Sequence, residues 1–556
     1  MMSKEVKLFI DENIECAVFL RSSADKYLSP FFKKNKNFYE FISEIRFLKM
    51  DNEISEKYMV SYKDNIVSMY GNEKTLICAL FDFLEKLGWR FFTPKLECLL
   101  QKKCSLNFQK PFSYSYEPQF EYRQNLWDGL SEEWQIKNGM NALYAKEIPK
   151  HLGGSKNYAG NPVHTFNRLI PPSEYYENHP NLFALNANGE RIKNQLCLSN
   201  EETFIIALEK VKDWLRKNPT AHYISISQND CNGDCLCEGC KQIKKDGNPS
   251  DLMIFFVNKF ADALKDEYPN LKVQTLAYMY TVEPPKYFIP KNNVNVMLCP
   301  IQSCENHEAT DMNCRANKNF VRQLQGWRKI TDNIYLWKYY NDFSYLIAPF
   351  QCLNNQSKNF NYYAKNGVKG FFAEGSHSGE TSDFCELKAY MFAKLIYNPT
   401  MSKKKFDELI KEFCLQYYGE KSGRQILQYL RLLTEVAKNS HYDCYPAPYT
   451  VIPTNPKVEK NDKYFIKKAK SLFAIALKNA ENQTKRKRIE KEYISVLYFS
   501  LYTNFENDML NANKEKRKRI LEEQALLFAL IDKYKIKNVR NHISGILVKK
   551  YSRRTL

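Results

Sequence analysis

Two carboxylates, Asp230 and Glu374, each follow a short apolar segment that is typical of a buried strand. The C-terminal ends of strands in a parallel α/β barrel meet at one face, where the functional residues lie. Two carboxyl groups at that face suit glycosidic bond hydrolysis, because one can protonate the leaving oxygen while the other stabilises the positively charged sugar. We expect Asp230 to be buried beside the neutral Asn229, as a general acid requires. A helix cap or an ion pair with a lysine is the alternative for either carboxylate.

Aromatic and polar side chains follow other predicted strands and could bind a sugar. Aromatic rings offer flat apolar faces, and a histidine can hydrogen-bond a hydroxyl group. A purely structural role is the alternative for each histidine. The predicted ligands, besides Asn229, are His164, Trp337, Tyr340, Tyr278, Trp127, Asn125 and His377.

Four cysteines, Cys231, Cys235, Cys237 and Cys240, lie in one short segment directly after Asp230. Four thiolates could hold a structural zinc ion, but such sites normally have two ligand pairs separated by a longer spacer. We therefore favour free thiols or a disulfide and predict no metal or other cofactor. A zinc site at these four residues is the alternative.

The middle of the chain alternates short apolar segments with amphipathic helical segments, and this pattern predicts eight strands. Eight strand and helix repeats over residues 113–400 fit a (β/α)8 TIM barrel. The predicted strands are Phe120 to Trp127, Asn141 to Ala145, Gln195 to Ser199, Tyr223 to Asp230, Val273 to Met279, Val294 to Pro300, Ile334 to Tyr340 and Gly370 to Glu374.

The flanking regions differ in pattern from the middle. Residues 1–112 predict a small α/β domain, with a hairpin around Asp64 and Asn65 and then a helix that carries Leu76, Leu80 and Leu84 on one face. Residues 401–556 show only helical patterns and predict an α-helical C-terminal domain. The predicted class is therefore α/β, with a barrel between a small α/β domain and a helical domain.

The formal net charge of +19 is concentrated near the C-terminus. From residue 421 onward there are 29 Lys and Arg against 13 Asp and Glu. The basic runs at 485–488 and 514–519 lie within helical patterns, which favours solvent-exposed faces over contacts with phosphates. A nucleic-acid partner is thus a weaker hypothesis than a glycan or glycoprotein substrate.

Neither a signal peptide nor an apolar run of membrane-spanning length is recognisable. The sequence as written therefore predicts a cytoplasmic protein. An extracellular or periplasmic location is expected instead if the N-terminus is truncated.

The middle region resembles a glycosidase-related family first catalogued as domain of unknown function 4838 and partly classified as glycoside hydrolase family 163. The similarity runs over most of the predicted barrel, including "HTFNRLIPPSEYYENHPNLFALNANGERIKNQLCLSN", "ISISQNDCNGDCLCEGC" and "KNGVKGFFAEGSHSG". The segment ending in "GWRFFTP" is similar to the small domain before the barrel of family 20 hexosaminidases and family 67 α-glucuronidases. The resemblance implies a TIM-barrel hydrolase of N-acetylglucosamine-containing glycans, with endo-acting cleavage of N-glycan cores as the characteristic activity.

The resemblance also implies roles for three residues. Asp230 corresponds to the acid/base residue at the end of strand four in related hexosaminidases. Asn229 corresponds loosely to the residue that orients the substrate's 2-acetamido group, where those enzymes carry a carboxylate. Glu374 would be a nucleophile, a base or a sugar ligand. We therefore predict a glycoside hydrolase, with a non-catalytic carbohydrate-binding protein on the same barrel as the alternative.

Overall fold

The computed structural model of the chain describes residues 6–34, 41–50, 56–100, 103–376, 383–452, 460–510, 513–536, 538–540 and 543–544. None of the helices within these ranges combines the length and the apolar content needed to cross a membrane.

The first region combines strands with two longer helices. Its elements are β1 (Lys7–Ile10), α1 (Ala17–Lys34), β2 (Glu44–Lys49), β3 (Tyr58–Lys63), β4 (Ile66–Gly71), α2 (Glu73–Lys86), β5 (Trp89–Thr93), β6 (Leu96–Leu99) and β7 (Phe112–Tyr116). Five of the strands form a sheet with the order β1-β2-β4-β3-β7. Strands β1, β2 and β4 run parallel, whereas β3 is antiparallel to both of its neighbours, and β5 and β6 form a separate hairpin.

The predicted hairpin and helix of this region are confirmed. Asp64 and Asn65 have φ values of 52° and 63°, as the tight turn between β3 and β4 requires. Helix α2 begins after Asn72, whose side chain accepts a hydrogen bond from the backbone N–H of Thr75. The helix ends before Gly88, which has a φ of 109°. The predicted apolar face of α2 is completely buried.

The middle region alternates strands and helices. Its strands are β8 (Tyr122–Leu126), β9 (Tyr158–Ala159), β10 (Phe183–Leu185), β11 (Arg191–Leu196), β12 (Tyr223–Ser225), β13 (Lys272–Ala277), β14 (Val294–Leu298), β15 (Ile334–Tyr339) and β16 (Val368–Glu374). Its helices are α3 (Glu132–Lys137), α4 (Phe166–Leu169), α5 (Pro172–Tyr175), α6 (Glu201–Lys217), α7 (Glu238–Lys244), α8 (Pro249–Leu264), α9 (Arg315–Arg328), α10 (Gln356–Lys365) and α11 (Cys385–Tyr397). Seven strands form a curled sheet with the order β8-β16-β15-β14-β13-β12-β9. Every neighbouring pair in this sheet is parallel.

One of the eight predicted strands lies outside the main sheet, and another is reduced to a single bridge to β8. The segment predicted as the third strand overlaps β11, which instead pairs antiparallel with β10 outside the main sheet. A local turn at Gly189, with a φ of 78°, allows these two strands to satisfy each other's backbone hydrogen bonds. The strand that pairs with β12 on this side is β9, in place of the predicted third strand. In the segment predicted as the second strand, Ala142 makes one parallel bridge to Gln124, and Ala145 has a φ of 52°.

Tyrosines fill the inside of the curled sheet near its N-terminal edge. The rings of Tyr122 and Tyr335 stack with centroids 5.5 Å apart. The hydroxyl groups of Tyr223 and Tyr335 are 2.8 Å apart, and the Tyr335 hydroxyl also donates to Glu121 at 2.6 Å. Because these side chains occupy the interior at that edge, the C-terminal edge is where a substrate could enter.

The last region is helical, apart from two short strands. Its elements are α12 (Lys403–Tyr418), α13 (Glu420–Ala437), α14 (Pro448–Val451), α15 (Lys460–Lys478), α16 (Gln483–Leu510), α17 (Lys514–Lys533), β17 (Asn538–Arg540) and β18 (Ile543–Ser544). The longer helices of this region pack against one another, and the predicted basic runs lie at the surface. Arg519 pairs with Glu515, and Arg486 pairs with Glu490, one helical turn away in each case.

Candidate active site

Glu374 is the last residue of β16 and lies at the C-terminal edge of the curled sheet. Its backbone is aligned with Tyr339 of β15 on one side and with Leu126 of β8 on the other. The indole Nε1 of Trp337 donates a hydrogen bond to Glu374 Oε2 at 2.8 Å. Trp337 is buried and packs on Phe372 with ring centroids 4.4 Å apart, so it holds this carboxylate in one orientation.

Asp230 lies at the same edge, in the segment that follows β12. The hydroxyl group of Tyr278 donates a hydrogen bond to Asp230 Oδ1 at 3.0 Å. Burial, and after it the charge of Asp230, raises the pKa of Tyr278, so the phenol remains a donor at neutral pH. Asp230 itself is exposed, and the predicted burial is therefore wrong. The strand ends at Ser225, and the chain carries Asp230 beyond the packed edge of the sheet.

Two further tyrosines lie within electrostatic range of both carboxylates. Burial is the main cause of a raised pKa for both Tyr144 and Tyr445, and the charges of Glu374 and Asp230 raise the pKa of each tyrosine further. Because such charge effects weaken with distance, each tyrosine lies near both carboxylates. Tyr144 stacks on Phe372, the same ring that packs on Trp337. We use the term cleft for the surface that carries Asp230, Glu374 and the exposed rings of Tyr144 and Tyr445.

Sequence reasoning missed these two tyrosines as well as Tyr339. Tyr144 lies within the predicted second strand and could have been found by the same strand-end rule that selected the other candidates. Tyr339 is two residues after Trp337, so both side chains face the same side of β15. Tyr445 comes from the helical region, and no local pattern places it near the strands of the curled sheet.

His164 lies next to the Asp230 side of the cleft. Its ring centroid is 6.1 Å from that of Tyr278, and its Nδ1 is 2.8 Å from the backbone carbonyl oxygen of Gln228. Because a carbonyl oxygen only accepts, Nδ1 carries the proton in this hydrogen bond. In the neutral ring Nε2 is then an acceptor for a hydroxyl group.

Three predicted sugar ligands point away from the cleft. The indole Nε1 of Trp127 donates to Asn125 Oδ1 at 2.7 Å, and Asn125 Nδ2 donates to the backbone oxygen of Ala389 in α11 at 2.9 Å. Tyr340 is completely buried and stacks on Phe392, also in α11, at 3.7 Å. Successive strand residues alternate between the two faces, and these three belong to the face that the helices cover. Their prediction as substrate ligands is therefore wrong.

The side chain of Asn229 forms hydrogen bonds with neighbouring loop residues. Its Nδ2 donates to Asn167 Oδ1 at 2.8 Å and to the backbone oxygen of Asn194 at 2.6 Å, and its Oδ1 accepts from the Asn167 backbone N–H at 3.2 Å. These contacts fit a loop-forming role better than the predicted orientation of substrate. His377 lies outside the described residues.

A cavity of about 780 Å³ reaches Asn232, two residues after Asp230. It is formed at the ends of β13 and β14 and by the start of α9. Polar side chains on its wall include Asn232, Asn313, Arg315 and Gln323. The cavity could receive additional polar groups of a substrate that extends from the cleft.

Only three of the four cysteines that follow Asp230 lie together, and a cysteine from another segment joins them. Cys235, Cys237 and Cys240 gather around Cys197, whereas Cys231 contacts Gln195 and Asn194 instead. A second group comprises Cys304, His307, Cys314 and His441. No disulfide joins Cys197, Cys235, Cys237 and Cys240 in this structure.

Similar solved structures are glycoside hydrolases of the hexosaminidase type, at low identity. A family 89 glycoside hydrolase from Clostridium perfringens in complex with PUGNAc is 11% identical, with a TM-score of 0.51 over 96% of this chain and 68% of that one. CpGH84B is 12% identical, with a TM-score of 0.43 over 100% and 97% of the chains. A β-N-acetylhexosaminidase from Bacteroides fragilis is 12% identical, with a TM-score of 0.39 over 82% and 95%. At this identity the likeness concerns the fold.

The family described as "Domain of unknown function (DUF4838)" matches residues 98–431. No curated protein matches the sequence. The family match spans more than half of the 556 residues. The chain therefore belongs to this family.

Proposed function

We propose that this member of the DUF4838 family is a retaining glycoside hydrolase that cleaves N-acetylglucosamine-containing glycans in the manner of an endo-β-N-acetylglucosaminidase. The observation that carries the proposal is the pair of carboxylates at one edge of a parallel sheet, each held by an aromatic donor. Tyr278 orients Asp230, and Trp337 orients Glu374. The fold shared with glycoside hydrolases adds support.

In this proposal the curled sheet closes into an eight-stranded TIM barrel. The bridge between Gln124 and Ala142 places residues 141–143 beside β8. On the other side, the backbone N–H of Lys156 donates to the backbone oxygen of Asn141 at 2.8 Å, close to β9. These hydrogen bonds support residues 141–143 as the eighth strand, between β8 and β9. Such closure leaves no unpaired sheet edge.

Asp230 acts as the acid/base residue. It protonates the glycosidic oxygen as the bond to the anomeric carbon breaks, and later takes a proton from the water that attacks this carbon. Its exposed position suits contact with both the leaving group and solvent. The Tyr278 hydroxyl group occupies Oδ1, which leaves Oδ2 as the oxygen that carries the proton.

Glu374 acts as the nucleophile. Its carboxylate forms a bond to the anomeric carbon as the leaving group departs, and water then hydrolyses this glycosyl-enzyme bond. The Trp337 N–H donates to Oε2, and Oε1 is the oxygen that attacks the anomeric carbon in this proposal. Tyr144 offers an exposed ring for stacking on a sugar, and His164 Nε2 can accept a hydrogen bond from a sugar hydroxyl group. The cavity that reaches Asn232 supports endo-acting cleavage, because it offers room for further sugar units.

The test is the release of sugar from a panel of N-glycoproteins and aryl N-acetylglucosaminides, with wild type, Asp230→Asn and Glu374→Gln compared. Glu121→Gln is the matched control, since Glu121 pairs with Lys272 at the opposite edge of the sheet. We expect both cleft variants to lose at least about 100-fold in kcat/KM, while the control remains active. If the cleft variants match the control, the two carboxylates do not have the proposed roles.

Leaving-group dependence tests the assignment of the general acid. A leaving group that departs without protonation needs no acid, so Asp230→Asn should hydrolyse a dinitrophenyl glycoside far better than a natural glycan. Glu374→Gln should lose both activities. Proton NMR of the first-formed product should show retention of the anomeric configuration, and an inverted product contradicts the nucleophile role of Glu374.

The exposure of Asp230 favours one alternative, a non-catalytic carbohydrate-binding protein. A general acid is usually held in a less solvated environment. Under this alternative, calorimetry detects glycan binding to wild type and to Asp230→Asn alike, and no member of the panel is hydrolysed. That combination of results contradicts the hydrolase proposal.

A further inference from the structure

Four cysteine sulfurs converge in the loop region that carries Asp230. The Sγ atoms of Cys197, Cys235, Cys237 and Cys240 all lie within 4.8 Å of one another. Cys197 Sγ is 3.6 Å from Cys237 Sγ and 3.8 Å from Cys240 Sγ. A zinc ion bound at about 2.3 Å by four sulfurs in a tetrahedron places neighbouring sulfurs about 3.8 Å apart. The spacing of this group, which we call the all-cysteine tetrad, therefore matches a zinc ion at its centre.

The surroundings of the all-cysteine tetrad suit negatively charged sulfur ligands. The backbone N–H of Leu185 donates to Cys235 Sγ at 3.3 Å, and Arg191 Nη1 lies 3.8 Å from the same sulfur. The Ser199 hydroxyl group is 3.1 Å from Cys240 Sγ. Donors such as the Leu185 N–H and the Arg191 guanidinium orient metal-bound thiolates and partly offset their charge. The Ser199 hydroxyl group, which accepts from the Cys240 thiol here, can donate to the sulfur when the thiol is deprotonated. Cys197, Cys235 and Cys240 are almost completely buried, so solvent has little access to a bound metal ion.

A second group of four ligands, which we call the cysteine–histidine tetrad, lies at the edge of the cavity that reaches Asn232. The ligand atoms of Cys304, His307, Cys314 and His441 also lie within 4.8 Å of one another. Cys304 Sγ is 3.3 Å from His307 Nδ1, and Cys314 Sγ is 3.2 Å from His441 Nδ1. The two imidazole rings stack with centroids 4.2 Å apart.

The hydrogen bonds of His307 match those of a metal ligand. Its Nδ1 faces the other ligand atoms, while its Nε2 is 3.1 Å from the backbone carbonyl oxygen of Lys438. A histidine that binds a metal through one nitrogen usually donates its other N–H to such an acceptor. This arrangement fixes the ring and leaves the lone pair of Nδ1 directed into the tetrad.

We propose that the chain binds two structural zinc ions, one in the all-cysteine tetrad and one in the cysteine–histidine tetrad. Sulfur and imidazole ligands in tetrahedral sets are those that zinc prefers. Four protein ligands leave no open position for water, so neither ion takes part in hydrolysis.

Each zinc ion ties a loop of the cleft to another part of the chain. The all-cysteine tetrad fastens the segment that carries Asp230 to the end of β11 through Cys197. The cysteine–histidine tetrad fastens the loop after β14 to the segment that begins at His441 and carries Tyr445. Since Tyr445 lies near both carboxylates, removal of either ion should disturb the cleft. This last consequence depends on the proposed function, whereas zinc binding does not.

Metal content provides the first test. The full chain is produced in zinc-supplemented medium, purified without a metal column or chelator, and examined by inductively coupled plasma mass spectrometry. We expect two zinc ions per chain in wild type and one each in Cys240→Ser and Cys314→Ser. Cys231→Ser and His179→Ala are matched controls, because Cys231 and the exposed His179 belong to neither tetrad, and both should retain two ions. A wild type without zinc, iron in place of zinc, or unchanged content in both tetrad variants overturns the proposal.

Thiol mapping provides a test on wild type that does not depend on whether a variant folds. The protein is alkylated in the native state with and without a zinc chelator, and the modified peptides are identified by mass spectrometry. We expect the six tetrad cysteines to become reactive only after zinc is removed. Disulfides among Cys197, Cys235, Cys237 and Cys240 in protein isolated under anaerobic conditions contradict the proposal. An inactive protein with two zinc ions rejects only the hydrolase function.

Discussion

The contact between Trp337 and Glu374 yields the sharpest prediction about the cleft. Trp337→Phe removes the indole N–H that donates to Glu374 Oε2 at 2.8 Å and keeps an aromatic ring against Phe372. Glu374 would then rotate more freely, because one of the contacts that hold its carboxylate is absent. The change is local, and the variant is expected to fold.

The size of the effect follows from the strength of the hydrogen bond. A hydrogen bond to a charged acceptor contributes about 1.5–3 kcal/mol. If the bond is needed to orient the carboxylate in the transition state, its loss lowers kcat/KM by about 10- to 150-fold. The loss should appear mainly in kcat, since the contact orients the reacting group and does not bind the substrate directly.

The control is Trp127→Phe, which removes an indole N–H of the same kind from the opposite face of the sheet. That N–H donates to Asn125 Oδ1 at 2.7 Å, away from the cleft. Steady-state hydrolysis of the best substrate in the panel, together with thermal unfolding, is measured for both variants. We expect unchanged kcat/KM for Trp127→Phe. Equal kcat/KM for Trp337→Phe and wild type would refute the positioning role of Trp337.

Three further predictions concern stability. Arg123→Met removes the buried guanidinium that lies 2.9 Å from the Glu56 carboxylate, and urea unfolding should show a free energy of unfolding lower by about 3–5 kcal/mol. A decrease below about 1 kcal/mol contradicts a buried ion pair of this kind. Burial raises the pKa of Glu492 from 4.5 to about 8. The protonated carboxyl therefore contributes its full stabilisation below about pH 4.5, and this contribution is lost as the pH rises through about 8. Glu492→Gln should flatten the decline of the free energy of unfolding between these pH values, and an unchanged slope rejects the raised pKa. In Gly375→Ala the new Cβ would clash with the Trp127 ring, which should lower the free energy of unfolding by about 1–3 kcal/mol in thermal unfolding. Wild-type stability contradicts this close packing.

The hydrogen bonds of the Asn229 side chain bear on whether the substrate's own 2-acetamido group takes part in catalysis. Asn229 directs its amide to Asn167 and Asn194, so it is poorly placed to orient a 2-acetamido group. Substrate assistance of the kind implied by family 20 hexosaminidases therefore has little support here. The proposed nucleophilic role of Glu374 does not require a residue that orients the 2-acetamido group.

Local patterns in the sequence determined many of the elements. The hairpin at Asp64 and Asn65, helix α2 and strands β8 and β12 to β16 follow from turn residues and hydrophobic periodicity, which act over a few neighbouring residues. The same patterns identified Asp230 and Glu374 as residues that follow strands. The resemblance to a known family, confirmed by the match over residues 98–431, supplied the functional hypothesis.

The tertiary structure alone decided which side chains face the cleft. Strands of a parallel sheet are buried on both faces and read as continuous apolar runs, so the sequence does not tell inside from outside. For this reason the sequence predicts Trp127 and Tyr340 as sugar ligands, although both lie on the face that the helices cover. Cys197 joins the other cysteines, and Tyr445 reaches the carboxylates, because the chain folds back over long sequence distances. Contacts of that kind leave no periodic signal in the sequence, and only the packing of the elements establishes them.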